Sequence, residues 1–324
     1  MRPMKRLPGF SLDGVFCAAA QFQVPMGEAN KAKRKQTSDG GNAKSVVSPV
    51  WKRFSLTILA FTLGAVSIWA VLVLPARSAL TTVRPASSRQ PSSFRELLAL
   101  TPQQLAQCDI ALMNLLCAEG LPGAESLSVE QHLKLLDAWA ARVGAETQRN
   151  LHRFRENPAE GDNSEAKWRM LMLITVLQQD LQVRYNPGRI EPLDKPSPPD
   201  VFFADSRDGL LHGLLGPRRM GTCASMPVLY VAVGRRLGYP LKLVASKGHL
   251  FLRWEDSSER FNFEGTNDHG GSFFSDSHYQ QWPFPISDQE VQVGYYLRSM
   301  NPQDELAAFL EKARGGSRRC APVS

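Results

Sequence analysis

The apolar pattern of residues 221–266 changes period along its length. Val228, Leu229, Val231, Val233 and Leu237 recur through a run of helical length, and Gly238, Tyr239 and Pro240 end it. Thr222 suits an N-cap, and Pro227 is tolerated only near a helix start. The helix is therefore expected to begin close to Cys223. Residues 241–246 then read as a strand and Lys247-Gly248 as a turn. Residues 249–254 read as a second strand, 255–259 as a polar hairpin loop, and 260–264 as the return strand.

Upstream, helical spacing dominates. Thr101-Pro102 with Gln104 forms a capping-box start for a helix over 105–119, stopped at Gly120 and Pro122. Ser128 and Gln131 frame a second, with Val129, Leu133, Leu136, Ala140 and Val143 on its apolar stripe. A third helix is expected near 145–154 and a fourth over 164–183. Residues 191–200 hold four prolines and read as a stiff spacer. Downstream, 267–277 reads as a loop, and Tyr279, Trp282 and Phe284 suit a core or an aromatic wall. Further helices are expected over 287–299 and 302–314, before a frayed tail.

One segment stands apart in hydropathy. Residues 54–74 run for 21 positions without a charge, long enough to span a bilayer. Charge then orients it. Of the net +7, residues 1–53 supply ten Lys/Arg against three Asp/Glu, while the remainder balances at 28 against 28. The positive-inside rule puts the basic tail in the cytoplasm and the body outside, in the periplasm of a Gram-negative cell. The rival reading is a cleaved signal peptide with Ala76, Arg77 and Ser78 at the cut; both versions export the body. A body without net charge also argues against a nucleic-acid-binding domain.

These boundaries divide the chain into a basic tail (1–53), a transmembrane helix (54–75) and a linker (76–95). A helical subdomain (96–190), a mixed helix–sheet core (191–300) and a C-terminal helix with its tail (301–324) follow. The fold class is α+β: a helix bearing Cys223 packed on a small antiparallel sheet, with an all-helical subdomain before it.

The candidate chemistry sits in the core. A cysteine at a helix start meets free backbone N–H groups and the positive end of the helix dipole, which favour thiolate and can hold an oxyanion. His249 opens the first strand of the hairpin and Glu264 closes the second. Two antiparallel strands can bring them together, so the acid orients the imidazole and supports its charged form. Arg218 or Arg219 could steady a thiolate or an acidic substrate.

The order Cys, strand-opening His, then an acid 15 residues on resembles the transglutaminase-like superfamily, and in detail its bacterial SirB-type branch. The matching text is Gly221-Thr222-Cys223, the run from Leu229 to Ala232, Arg235-Arg236-Leu237-Gly238 and Gly248-His249. The resemblance covers about 105–296. It implies a papain-like core, with Cys223 as nucleophile, His249 as base and Glu264 as third member. Many members carry Asp at the last position. The implied reaction is acyl transfer on a peptide-like or protein substrate, without a cofactor.

Cys223, His249, Asp268, His269 and His278 are the alternative as metal ligands, but their spacing matches no zinc signature. Cys108 and Cys117, nine residues apart in one expected helix, would lie roughly 13 Å apart, too far to bond.

Overall fold

The computed structural model describes residues 90–190, 203–267 and 270–317. The tail, the apolar run 54–74, most of the linker, the proline-rich stretch 191–200, Asp268, His269 and the last seven residues lie outside them. Among the described residues no helix is long and apolar enough to cross a membrane.

Three short helices, α1 (Phe94–Leu98), α2 (Pro102–Leu105) and α3 (Ile110–Leu116), open the body. The capping box of Thr101 and Gln104 is present. The helix expected over 105–119 is interrupted, because Asp109 caps a fresh start by accepting from the N–H of Ala111 at 2.8 Å. Cys108 and Cys117 flank α3, and both are free thiols.

Ser128 caps α4 (Val129–Glu156), a single helix where the sequence suggested two. Gly144 does not break it. A Cβ there would come within 3.1 Å of Leu237, so the glycine serves close packing between helices. Ser164 caps α5 (Glu165–Thr175), which widens into a π-turn over Val176–Asp180.

Next comes a parallel pair that local patterning did not suggest. Strand β1 (Arg184–Tyr185) joins β2 (Met220–Gly221), with α6 (Ser206–Gly209) and α7 (Leu211–Leu215) between them. Helix α8 (Met226–Arg236) follows directly and packs on α3, α4 and the main sheet.

That sheet is antiparallel, in the order β3 (Leu241–Ser246), β4 (His249–Glu255), β5 (Arg260–Glu264) and β6 (Ser272–Phe274). The first three match the expected strands. The fourth falls in the segment read as a loop. Leu297 and Met300 donate backbone bonds to Ala245 and Leu243, so β3 does not end the sheet unpaired. Strand β4 is buried on both faces from His249 to Trp254, which explains why Leu250, Phe251 and Leu252 follow one another without alternation.

Three helices complete the body: α9 (Asp276–Gln281), α10 (Asp288–Gln292) and α11 (Pro302–Ser317). The expected helix over 287–299 stops after five residues, where Gly294 turns with φ at +76°. The architecture is α+β, a small antiparallel sheet with its helices.

Candidate active site

The seat of Cys223 is built from hydroxyls. Regular helix is counted from Met226, but its hydrogen bonds begin at Thr222, whose carbonyl accepts from Met226 N–H at 2.9 Å. The Thr222 side chain accepts from Ala224 N–H at 3.2 Å, and the Ser225 side chain accepts from Thr222 N–H at 3.0 Å. This is a reciprocal cap, with serine in the place of the usual Glu or Gln. Cys223 thus sits in the hydrogen-bonded turn that leads into the helix, three residues before Met226. Its own N–H has no hydrogen-bond partner among the described residues. Gly221 is required just before it, since a Cβ there would lie 2.4 Å from Ser225 Oγ.

The other two members come from the hairpin. The register pairs Leu252 with Phe263, so Glu264 stands across from Phe251 and diagonal to His249, on the same face. Gly248 makes the tight turn that delivers His249. Its φ is +85°, and a Cβ there would press on Phe284 at 2.8 Å. His249 Nε2 lies 2.6 Å from Glu264 Oε2, with the two side chains 0 % and 5 % exposed.

Glu264 is held by more than the histidine. Thr266 donates both its N–H, at 3.0 Å, and its hydroxyl, at 2.6 Å, to Oε1. Tyr279 donates its hydroxyl to Oε2 at 3.2 Å. Burial alone would push this carboxyl up, but His249 and the Thr266 donors outweigh it and hold it below the ordinary carboxylate range. Burial works against a charged imidazole as well, yet Glu264 and the nearby Cys223 sulfur raise His249 well above its ordinary range. Both shifts favour the charged form of the pair, imidazolium against carboxylate.

With Nε2 committed to Glu264, the ring has Nδ1 left for the thiol. The nearby Cys223 strengthens the ring's hold on its proton, although the buried Nδ1 closes no hydrogen bond. Cys223 as a whole is 2 % exposed. Trp282 meets His249 edge-on with ring centres 4.7 Å apart, and Tyr279 stacks flat on Phe251 at 3.6 Å. The suspected aromatic wall therefore stands against the histidine.

The remaining candidates are engaged elsewhere. Arg218 bonds Asp205 and Asp208, both at 3.0 Å. Arg219 lies over the Trp139 ring at 4.8 Å and donates to Leu181 O. His278 stacks on Phe274. Among the described residues no three His, Cys, Asp or Glu side chains cluster as metal ligands would. Cys108 and Cys117 are pushed up to about 12, chiefly by burial, so both remain thiols at neutral pH.

Sequence reasoning missed Thr266 and Ser225, and took Tyr279 only as an aromatic. Thr266 sits two residues beyond the acid, the spacing of a local side-chain–backbone turn, and could have been found on that ground. Comparisons of the chain with models of known protein families, with curated proteins and with solved structures find no match.

Proposed function

We propose that this chain is a membrane-anchored, transglutaminase-like acyl-transfer protein with a papain-like core, acting on a peptide-like bond outside the cytoplasm. The observation that carries the reading is the buried 2.6 Å contact between His249 and Glu264, with a free thiol beside the other side of the ring. A carboxylate on one imidazole nitrogen and a nucleophile at the other is the arrangement acyl transfer needs.

The steps follow from that arrangement. In the reactive form the Cys223 proton sits on His249, giving a thiolate and an imidazolium. Sulfur attacks the carbonyl carbon of an amide, forming the C–S bond and an oxyanion, which the N–H of Cys223 is placed to receive. Collapse breaks the C–N bond as His249 gives its proton to the leaving amine. The neutral imidazole then takes a proton from water or an acceptor amine, which attacks the thioester. That step releases the acyl product and restores the thiolate and imidazolium. Glu264 keeps its charge throughout and holds the ring in place.

The membrane part rests on the uncharged run 54–74 and the basic residues before it. A second reading, a binding or scaffold module that keeps this fold without catalysis, is favoured by the burial of Cys223. Catalysis requires that cover to open when substrate arrives.

Iodoacetamide labelling of the full chain, read by mass spectrometry, separates the two. The catalytic reading expects Cys223 to react faster at pH 6–7 than Cys108 and Cys117, which remain protonated there. Labelling of Cys223 no faster than those two would leave the binding module.

A further inference from the structure

Behind Cys223 lies a charged cluster that the acyl-transfer chemistry does not use. Asp208, in the short helix α6, is buried, with its carboxylate 2 % exposed. Three donors hold it: Arg189 Nε at 2.9 Å, Arg218 Nη2 at 3.0 Å and Asn186 Nδ2 at 2.8 Å. Asn186 is in turn fixed by its own N–H, which donates to Gly221 O at 2.8 Å beside the nucleophile. The carboxylate is thereby anchored from both sides of the β1–β2 pair.

The backbone of the same residue faces the nucleophile. Asp208 O accepts from Thr222 Oγ1 at 2.8 Å and from Ser225 Oγ at 2.8 Å. These are the two hydroxyls whose lone pairs build the cap around Cys223. A hydroxyl has one proton and must choose its acceptor. Asp208 O takes both protons, which turns both oxygens toward the cap N–H groups. The position of the sulfur thus depends on where the Asp208 carbonyl stands, and the Arg189–Arg218–Asn186 grip sets that.

We propose that Asp208 is a positioning residue for Cys223: its carbonyl orients the Thr222 and Ser225 hydroxyls that hold the nucleophile against His249, and its carboxylate, clamped by two arginines, fixes that carbonyl. Asp208 takes no part in bond making. This inference rests on the acyl-transfer reading for its consequence and on the hydrogen-bond geometry for its existence.

The test compares wild type with Asp208→Asn, Thr222→Val and the conservative Thr222→Ser in the full chain. Two quantities are read: the pH profile of iodoacetamide modification at Cys223, and the imidazole ¹⁵N shifts of His249. Asp208→Asn and Thr222→Val are expected to slow modification at pH 6 by about 10- to 100-fold, the usual cost of misplacing a reacting group by an ångström or less. Both should also move the Nδ1 resonance, and Thr222→Ser should restore the wild-type profile and shifts. If Asp208→Asn fails to fold, the threonine pair decides the matter. Folded Thr222→Val protein with wild-type profile and wild-type shifts overturns the proposal. A wild-type thiol inert at every pH ends the acyl-transfer reading instead. In that case the ¹⁵N shifts alone judge the positioning role: displacement in Thr222→Val but not Thr222→Ser upholds it, and no displacement refutes it.

Discussion

Two buried histidines in this molecule each sit beside a nucleophile-type side chain, and they have opposite chemistry. His249 has Cys223 on one side and Glu264 on the other. His212 has Ser206, whose hydroxyl lies 3.1 Å from Nε2, and among the described residues no carboxylate bonds its ring. Ser206 spends its one proton on Pro122 O, at 2.6 Å. The histidine must therefore be the donor to Ser206, and its proton points the wrong way to activate a hydroxyl. Burial, reinforced by the charge of His132, lowers His212 to about 4, so it stays neutral. Burial acts on both rings in the same direction. The carboxylate decides which becomes an imidazolium, and a histidine–hydroxyl contact without one is a structural hydrogen bond.

The largest effects should come from taking that carboxylate pair apart. His249→Ala is expected to slow Cys223 alkylation at pH 6 by about a thousandfold, within the range general acid–base groups supply. Glu264→Gln, which keeps the shape and removes the charge, should cost about a hundredfold by the same measure. Glu264→Ala leaves the imidazole buried without its partner and should destabilise the fold by about 3–5 kcal/mol in urea titrations. Reactivity unchanged in Glu264→Gln would mean that the acid orients nothing.

The next effect concerns pH, and its sign differs between the two rings. His212 is depressed from 6.5 to about 4, so it destabilises the fold as pH drops through that window, by about 3 kcal/mol in all. His249 is raised, so its contribution is fully present below its ordinary value of 6.5 and is lost as pH climbs through its elevated value. Glu264 is lowered, so its contribution is present above 4.5 and is lost as pH falls through its depressed value. His212→Gln should flatten the decline in unfolding free energy between pH 6.5 and 4 and leave alkylation of Cys223 unaltered. A decline that persists in His212→Gln would assign the acid lability elsewhere.

The contrast also marks what a sequence can disclose. Caps were legible because they are local: Thr101 with Gln104, Ser128 and Thr222 each bond within three residues of themselves. The hairpin carrying His249 and Glu264 was legible because strand composition and a polar loop mark it. What stayed hidden depends on distant partners. Gly144 falls between the two helices expected there, but it makes room for Leu237, 93 positions on. Asp208 gave no signal, since its partners Asn186, Arg189 and Arg218 follow no periodic spacing. The two-residue pairing of β1 with β2 is too short for any pattern to report. Ser206 and His212, six residues apart, could have passed for a catalytic pair, and only the Pro122 carbonyl shows that they are not.

The smallest expected effect isolates the strength of the acid from its presence. Tyr279 donates to the same Glu264 oxygen that faces His249, and it is fully buried with its ring flat on Phe251. Tyr279→Phe keeps the ring contact and deletes one hydrogen bond to a charged group, worth about 1.5–3 kcal/mol where such bonds have been dissected. Three donors to Glu264 survive the change: His249 and both groups of Thr266. They should hold the carboxylate ionised at neutral pH, so alkylation of Cys223 at pH 7 should fall by no more than about tenfold. The loss should instead appear on the acid side. With one donor fewer, Glu264 takes up its proton at a higher pH, and the low-pH limb of both the reactivity and the stability curves should move upward. Tyr279→Phe with an unmoved acid limb would show that Thr266 and His249 alone set the charge of the acid, and that the tyrosine serves only the packing against Phe251.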